Sequence, residues 1–121
     1  MNPLTSTIQV VIAAGILNVW LLRFRKPSSW RGGSATSMKE EFAAYGLSVS
    51  FMRTVGFLKV SSALLLIAGL WLPVVTKPAA GTLAVLMLGA ISMHVKVKDP
   101  ARKSLPAFIL FGLSLIVVFA S

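Results

Sequence analysis

Long apolar runs separated by short polar and basic segments dominate the pattern of this chain. Four stretches contain no Asp, Glu, Lys or Arg, and each is at least 17 residues long: 1–22, 60–76, 78–95 and 104–121. A helix that crosses a bilayer needs about 17–25 residues, because the hydrocarbon core is about 30 Å thick and each helical residue rises about 1.5 Å. The pattern predicts four membrane-spanning helices, at about residues 4–22, 52–72, 78–94 and 105–120.

A shorter amphipathic pattern lies between the first two runs. Ser37 and Glu40 have the spacing of a capping box, which marks the start of a helix. Apolar positions then recur at helical spacing: Met38, Phe42, Tyr45 and Val49. These features predict a short interfacial helix over about 37–50. The fold expected for the whole chain, 1–121, is a single all-α domain, an integral membrane four-helix bundle with this interfacial helix between spans one and two.

Helical spacing also predicts which faces pack inward. In the second span Lys59 shares a face with small and apolar residues: Ser62, Ala63, Leu66 and Gly69. In the third span one stripe ends at His94 and contains Ala80, Ala84, Met87 and Ile91. Small residues mark the contact faces of membrane helices, so both faces are expected to be buried. In the first span Asn18 is expected to form an interhelical hydrogen bond, and Trp20 to lie in an aromatic belt at the membrane surface.

Composition and charge strengthen the membrane interpretation. Only 12% of the residues are charged, about half the usual share of a soluble domain, and the mean hydropathy is +0.85.

The net charge of +9 is concentrated in the connections between spans one and two and between spans three and four, whereas Lys77 is the only basic residue between spans two and three. Basic loops face the cytoplasm. We therefore expect a multi-pass protein of the bacterial inner membrane with both termini outside, basic loops that attract anionic lipid, and no nucleic-acid partner. The basic cluster follows the first apolar run, which favours a retained span over a signal peptide.

The residue inventory excludes several chemistries. The chain has no cysteine and one histidine, so it cannot supply a thiolate, a multi-histidine metal site or two axial haem ligands. It contains no GxSxG, Walker or dinucleotide-binding glycine motif. We therefore expect no metal and no self-sufficient catalytic activity.

Polar residues near membrane depth cluster toward the predicted cytoplasmic side. The candidate ligand-binding residues are Lys59, His94, Arg53, Asn18, Tyr45 and Glu41. If the helices bundle, these side chains converge on a pocket suited to an amphiphile such as a quinone or a lipid, with its tail between the helices.

Each candidate also has a structural interpretation. Lys59 could extend to the headgroups or pair with Glu40 or Glu41, and His94 could bond to Asp99 or to a helix end. Three functions stay open: an amphiphile-binding accessory protein, a structural subunit that packs on itself or in a larger complex, and a small-solute permease. The permease ranks last, because the outer halves of spans two to four have almost no polar groups beyond Ser, Thr and Gly.

The second half of the chain contains a set of characteristic segments: Val55-Gly56-Phe57-Leu58-Lys59-Val60, Ala68-Gly69 with Pro73, Met87-Leu88-Gly89-Ala90-Ile91-Ser92-Met93-His94, Asp99-Pro100 and Lys103-Ser104-Leu105-Pro106-Ala107. In these segments the chain resembles the DoxX-like family of small four-span bacterial membrane proteins. The resemblance covers about 52–121, with weaker support from 15–24 and 42–47. It implies a membrane four-helix bundle and an accessory role beside quinone-linked or other redox partners.

Overall fold

Five α-helices account for most of the chain in this computed structural model, which describes residues 3–24, 31–33, 35 and 37–120. Helix α1 is Pro3–Leu17 and continues as a π-helical turn, Asn18–Leu22. Helix α2 is Met38–Ala44, α3 is Val49–Ala68, α4 is Thr76–Lys96 and α5 is Leu105–Ala120. Two short 3₁₀ turns, Pro73–Val75 and Ala101–Ser104, precede α4 and α5. The described residues contain no β-strand.

Four helical segments are long and apolar enough to cross a membrane: Pro3–Leu22, Val49–Ala68, Pro73–Lys96 and Ala101–Ala120. Helices α1, α3, α4 and α5 pack in that order around a closed ring, because α1 also contacts α5. Large apolar side chains remain exposed on every spanning helix, as expected for a surface that faces lipid. The structure therefore confirms the predicted four-helix membrane bundle with a short helix between spans one and two.

The two ends of the bundle differ in charge. We call the end that holds α2 and the α4–α5 connection the basic end, because all the described basic residues except Lys59 and Lys77 lie in it or beside it. Residues 25–30, part of the first basic connection, lie outside the described residues. The opposite end holds the α3–α4 connection and the first turn of α4, which contains Lys77.

Helix α2 is shorter than its predicted range of about 37–50. The Ser37 hydroxyl accepts a hydrogen bond from the Glu40 N–H at 3.2 Å, which fixes the helix start. Gly46 adopts a left-handed φ of +79°, so the chain turns there. Ser48 then caps α3 by accepting from the Phe51 N–H at 3.1 Å, which places Val49 in the next helix. The predicted apolar stripe is buried at Met38, Phe42 and Tyr45 but ends before Val49.

The faces predicted to pack inward are buried in α3 and α4. Ser62, Ala63, Leu66 and Gly69 of α3 are all buried. So are the stripe residues of α4: Ala80, Ala84, Met87, Ile91 and His94. The small side chains let the helix backbones approach closely, and the larger residues fill the centre of the ring.

Two expectations for the first span were wrong. Trp20 is buried inside the bundle rather than placed in a surface belt. Asn18 is exposed and makes no interhelical hydrogen bond among the described residues. The π-helical turn explains both, because its extra residue rotates the end of α1: the Arg23 N–H donates to the Asn18 carbonyl at 2.9 Å, and Trp20 rather than Asn18 faces the core.

Gln9 makes the interhelical bond instead. Its side-chain amide donates to the Leu66 carbonyl of α3 at 2.9 Å, and the residue is 0% exposed. Its other amide atom, Oε1, is buried without a hydrogen-bond partner in the described part of the chain.

Candidate functional site

A cavity of about 880 Å³ lies in the half of the bundle nearest the basic end. Its walls come from all five helices and from Arg31 in the first connection. Among the predicted ligand-binding residues, the structure brings five to this cavity: Asn18, Glu41, Tyr45, Lys59 and His94. Arg53 is exposed and does not line it. The volume falls in the range of about 300–1,000 Å³ that is typical of small-molecule sites.

Lys59 projects into the cavity from the middle of α3. Side chains of a helix lean toward its N-terminus, which for α3 is the basic end. The ammonium nitrogen lies 5.5 Å from the centroid of the Trp20 ring, in a cation–π contact. Lys59 forms no ion pair among the described residues, although Glu41 acts on it electrostatically. The predicted pairing of Lys59 with Glu40 or Glu41 is therefore not formed.

The Trp20 ring is held in a fixed position beneath Lys59. Phe24 and Phe42 contact it with ring centroids 5.9 and 6.0 Å away. Gly56 of α3 faces the ring so closely that an added Cβ would lie 2.6 Å from Trp20 Cζ3. Glycine at position 56 thus lets an indole fit between α1 and α3.

Glu41 holds the first connection against α2. Its Oε2 accepts a hydrogen bond from the Gly32 N–H at 2.6 Å, and its Oε1 lies 3.8 Å from Arg31 Nη1. Arg31 is buried, and its guanidinium also donates to the Arg23 carbonyl at 2.5 Å. Arg31 was absent from the predicted site residues. Its only sequence signal was a position between a glycine pair and a basic run, which does not distinguish it from a surface arginine.

His94 and Asp99 form the second polar contact at the basic end. His94 Nδ1 lies 2.7 Å from Asp99 Oδ2, and both side chains are almost fully buried. Lys98 adopts a left-handed φ of 58°, which ends α4 and lets the Asp99 N–H donate to the His94 carbonyl at 3.0 Å. The geometry agrees with the structural interpretation of His94, in which Asp99 is its partner.

Asp99 also ties together two connections that are far apart in sequence. The Gly33 N–H donates to its Oδ1 at 3.0 Å, and Lys103 Nζ lies 3.9 Å from the same oxygen. Burial acts to raise the pKa of Asp99, but the hydrogen bonds from His94 and Gly33 and the Lys103 charge outweigh it and hold the pKa below its usual value. Lys103 further donates to the Gly33 carbonyl at 2.6 Å.

Tyr45 lies between these two polar contacts. Its ring meets the His94 ring edge-on at 5.9 Å, and the Lys96 ammonium donates to its carbonyl at 2.8 Å. An added Cβ on Gly32 would collide with the Tyr45 ring. Burial raises the pKa of the Tyr45 hydroxyl, and the nearby Glu41 and Asp99 carboxylates raise it further. Tyr45 is therefore a neutral donor at physiological pH.

The cavity has a polar part and an apolar part. Glu41, Tyr45 and His94 lie toward the basic end, whereas Lys59 lies deeper along its helix, among walls that are mostly apolar: Gly15, Ile16, Val85, Leu86 and Leu110. Val85 and Leu88 are exposed on the neighbouring surface of α4. Such a site can hold a polar head and an aliphatic tail. No cluster of three or more potential metal ligands occurs among the described residues.

Comparison with known proteins agrees with this architecture. The model of the DoxX-like family matches residues 7–118, which is nearly the whole chain. No curated protein and no solved structure matches the sequence.

Proposed function

The chain belongs to the DoxX-like family, and from this premise we propose that it is an accessory membrane protein that binds an amphiphile in the cavity at its basic end. The ligand is quinone-like or a lipid, and the protein presents it to a redox partner. The observation that carries the proposal is the cavity itself, in which hydrogen-bonding and charged groups lie at one end and aliphatic walls at the other. Lys59 is a donor suited to a carbonyl or an anionic head.

The polar contacts around the cavity fix the shape of its polar end. Glu41 and His94 are each engaged by partners in the protein, through Arg31 and Gly32 and through Asp99. The alternative of a structural subunit remains a prediction. The exposed apolar surfaces that could favour it are equally those required to contact lipid.

Tryptophan fluorescence can test occupancy of the cavity, because Trp20 lines it and Trp71 is exposed at the opposite end. A variant with Trp30→Phe and Trp71→Phe retains Trp20 alone. We expect its emission to be quenched saturably by a decyl-tailed benzoquinone or by a brominated phosphatidylglycerol in neutral detergent. The matched control, Trp20→Phe with Trp30→Phe, retains Trp71 and should show only weak quenching proportional to probe concentration. Equal quenching of the two variants would exclude the site.

We further propose that the basic end faces the cytoplasm of a bacterium and that both termini lie outside the inner membrane. The supporting observation is the charge asymmetry, since Lys77, in the first turn of α4, is the single basic residue described at the opposite end. The chain has no cysteine, so single cysteines can report the orientation. A maleimide that does not cross membranes should label Val74→Cys in intact spheroplasts, and Arg102→Cys only after lysis. The reverse pattern would invert the topology.

A further inference from the structure

We propose that the ligand of this cavity is an amphiphile with an anionic head, a carboxylate or a phosphate, which acts as the counter-ion of Lys59. The inference rests on the proposed function and adds the charge of the ligand to it. It follows from the depth of Lys59, from the partners of every acidic residue in the chain, and from the charge of the cavity walls.

Lys59 lies near the middle of α3, a helix that is long and apolar enough to cross a membrane. It follows Val49, the first residue of α3, by ten positions, which corresponds to about 15 Å along the helix axis. That is half of a hydrocarbon core about 30 Å thick. A lysine at the centre of a spanning helix is costly to insert, and such residues normally face an interior partner. Lys59 faces the cavity.

No acidic side chain forms an ion pair with Lys59 among the described residues, although Glu41 acts on it from a greater distance. The chain has three acidic residues, and all of them lie in its described part: Glu40, Glu41 and Asp99. Glu41 accepts from Gly32 and faces Arg31. Asp99 is occupied by His94, Gly33 and Lys103. Glu40 is exposed in the first turn of α2 and forms no ion pair with Lys59.

The Trp20 ring only partly compensates for this missing charge. A cation–π contact is a weak attraction and leaves the net charge of the ammonium in place. The walls also include the cationic side chains of Arg31 and Lys103, while Glu41 is the only acidic wall residue. A cationic head would be repelled, and a neutral head would leave Lys59 uncompensated. A carboxylate or phosphate head neutralises it while its tail covers the apolar walls.

The test uses three probes that share one C16 chain and differ in the head: palmitate, hexadecyl phosphate and hexadecanol. Each is added at pH 8 to protein in a neutral detergent, and displacement of the brominated lipid from the Trp20-only variant is measured. We expect at least one of the two anionic probes to bind ten times more tightly than hexadecanol. The palmitate and phosphate arms identify which head is preferred. Inorganic phosphate alone should not displace the lipid; if it does, the site binds free anions and the amphiphile assignment is wrong.

Two variants isolate the role of Lys59. Lys59→Gln should reduce the preference for the anionic head to less than threefold, whereas Lys59→Arg should keep it. Lys77→Gln removes the same charge at the opposite end and should leave all affinities unchanged. A preference that persists in Lys59→Gln would overturn the role of Lys59. If Lys59→Gln does not fold, the wild-type comparison alone decides the head charge.

Failure of this inference is distinguishable from failure of the proposed function. If wild-type protein binds hexadecanol or the benzoquinone as tightly as palmitate and hexadecyl phosphate, the anionic head is wrong and amphiphile binding stands. If none of the probes quenches or displaces at Trp20, both are wrong.

Discussion

Asp99→Asn is expected to lower the free energy of unfolding by about 2 kcal/mol at pH 7. The carboxylate of Asp99 holds the imidazole of His94, the N–H of Gly33 and the ammonium of Lys103, and its side chain is only 5% exposed. A hydrogen bond to a charged group contributes about 1.5–3 kcal/mol, and an asparagine can satisfy only part of this set. The measurement is the unfolding of purified protein by titration with sodium dodecyl sulfate in mixed micelles.

The effect should depend on pH with a definite sign. Because the folded protein holds the pKa of Asp99 below its unfolded value of about 3.9, the wild type gains stability from ionisation of this residue. That contribution is complete above the unfolded pKa and is lost as the pH falls through the folded one. The stability difference between wild type and Asp99→Asn should therefore be constant near neutrality and decrease below about pH 4.

Glu40→Gln is the matched control for this experiment. It makes the same change of acid to amide at an exposed position in the first turn of α2, where a carboxylate contributes about 0.3–1 kcal/mol through the helix dipole. If Asp99→Asn cost no more than Glu40→Gln, the contact between the two connections would have no role in stability.

The features that could be predicted well from the sequence depend on patterns of apolar and polar residues that are close together along the chain. The lengths of the apolar runs gave the four spans, because bilayer thickness and helical rise are constant. The buried stripe of α4, which ends at His94, followed from 3.6-residue periodicity, as did the inward face of α3 that contains Lys59. The Asp99 partner of His94 was also foreseeable, since the two residues are five apart and only one turn separates them.

The features that could not be predicted from the sequence depend on contacts between segments that are distant along the chain. Arg31 and Gly33 reach the polar end only because Glu41 and Asp99 hold them, and Gly33 and Asp99 are 66 positions apart. The orientation of Asn18 and Trp20 was missed because a π-helical turn shifts the periodicity by one residue. Arg53 was assigned to the polar cluster from its depth alone, but the face it occupies on α3 is exposed.

Gly56→Leu is expected to have the largest effect on the fold, a loss of about 3 kcal/mol. A Cβ at this position would lie 2.6 Å from Cζ3 and 2.9 Å from Cε3 of Trp20. The ring cannot move away easily, because Phe24 and Phe42 pack against it. Overpacking in a tight core costs about 1–3 kcal/mol and sometimes more, which exceeds the gain of up to about 1 kcal/mol from replacing a helical glycine.

The same substitution at Gly112 provides the control. Gly112 lies in α5, is only half-buried, and an added Cβ there would have no neighbour within 4 Å. In the titration with sodium dodecyl sulfate, Gly112→Leu should therefore unfold at the same dodecyl sulfate fraction as wild type or at a slightly higher one. The double variant Gly56→Leu with Trp20→Ala should recover part of the loss, because removing the indole makes room for the leucine. If Gly56→Leu matched Gly112→Leu, α1 and α3 would not pack through Trp20, and the wall of the cavity beside Lys59 would differ from the one described.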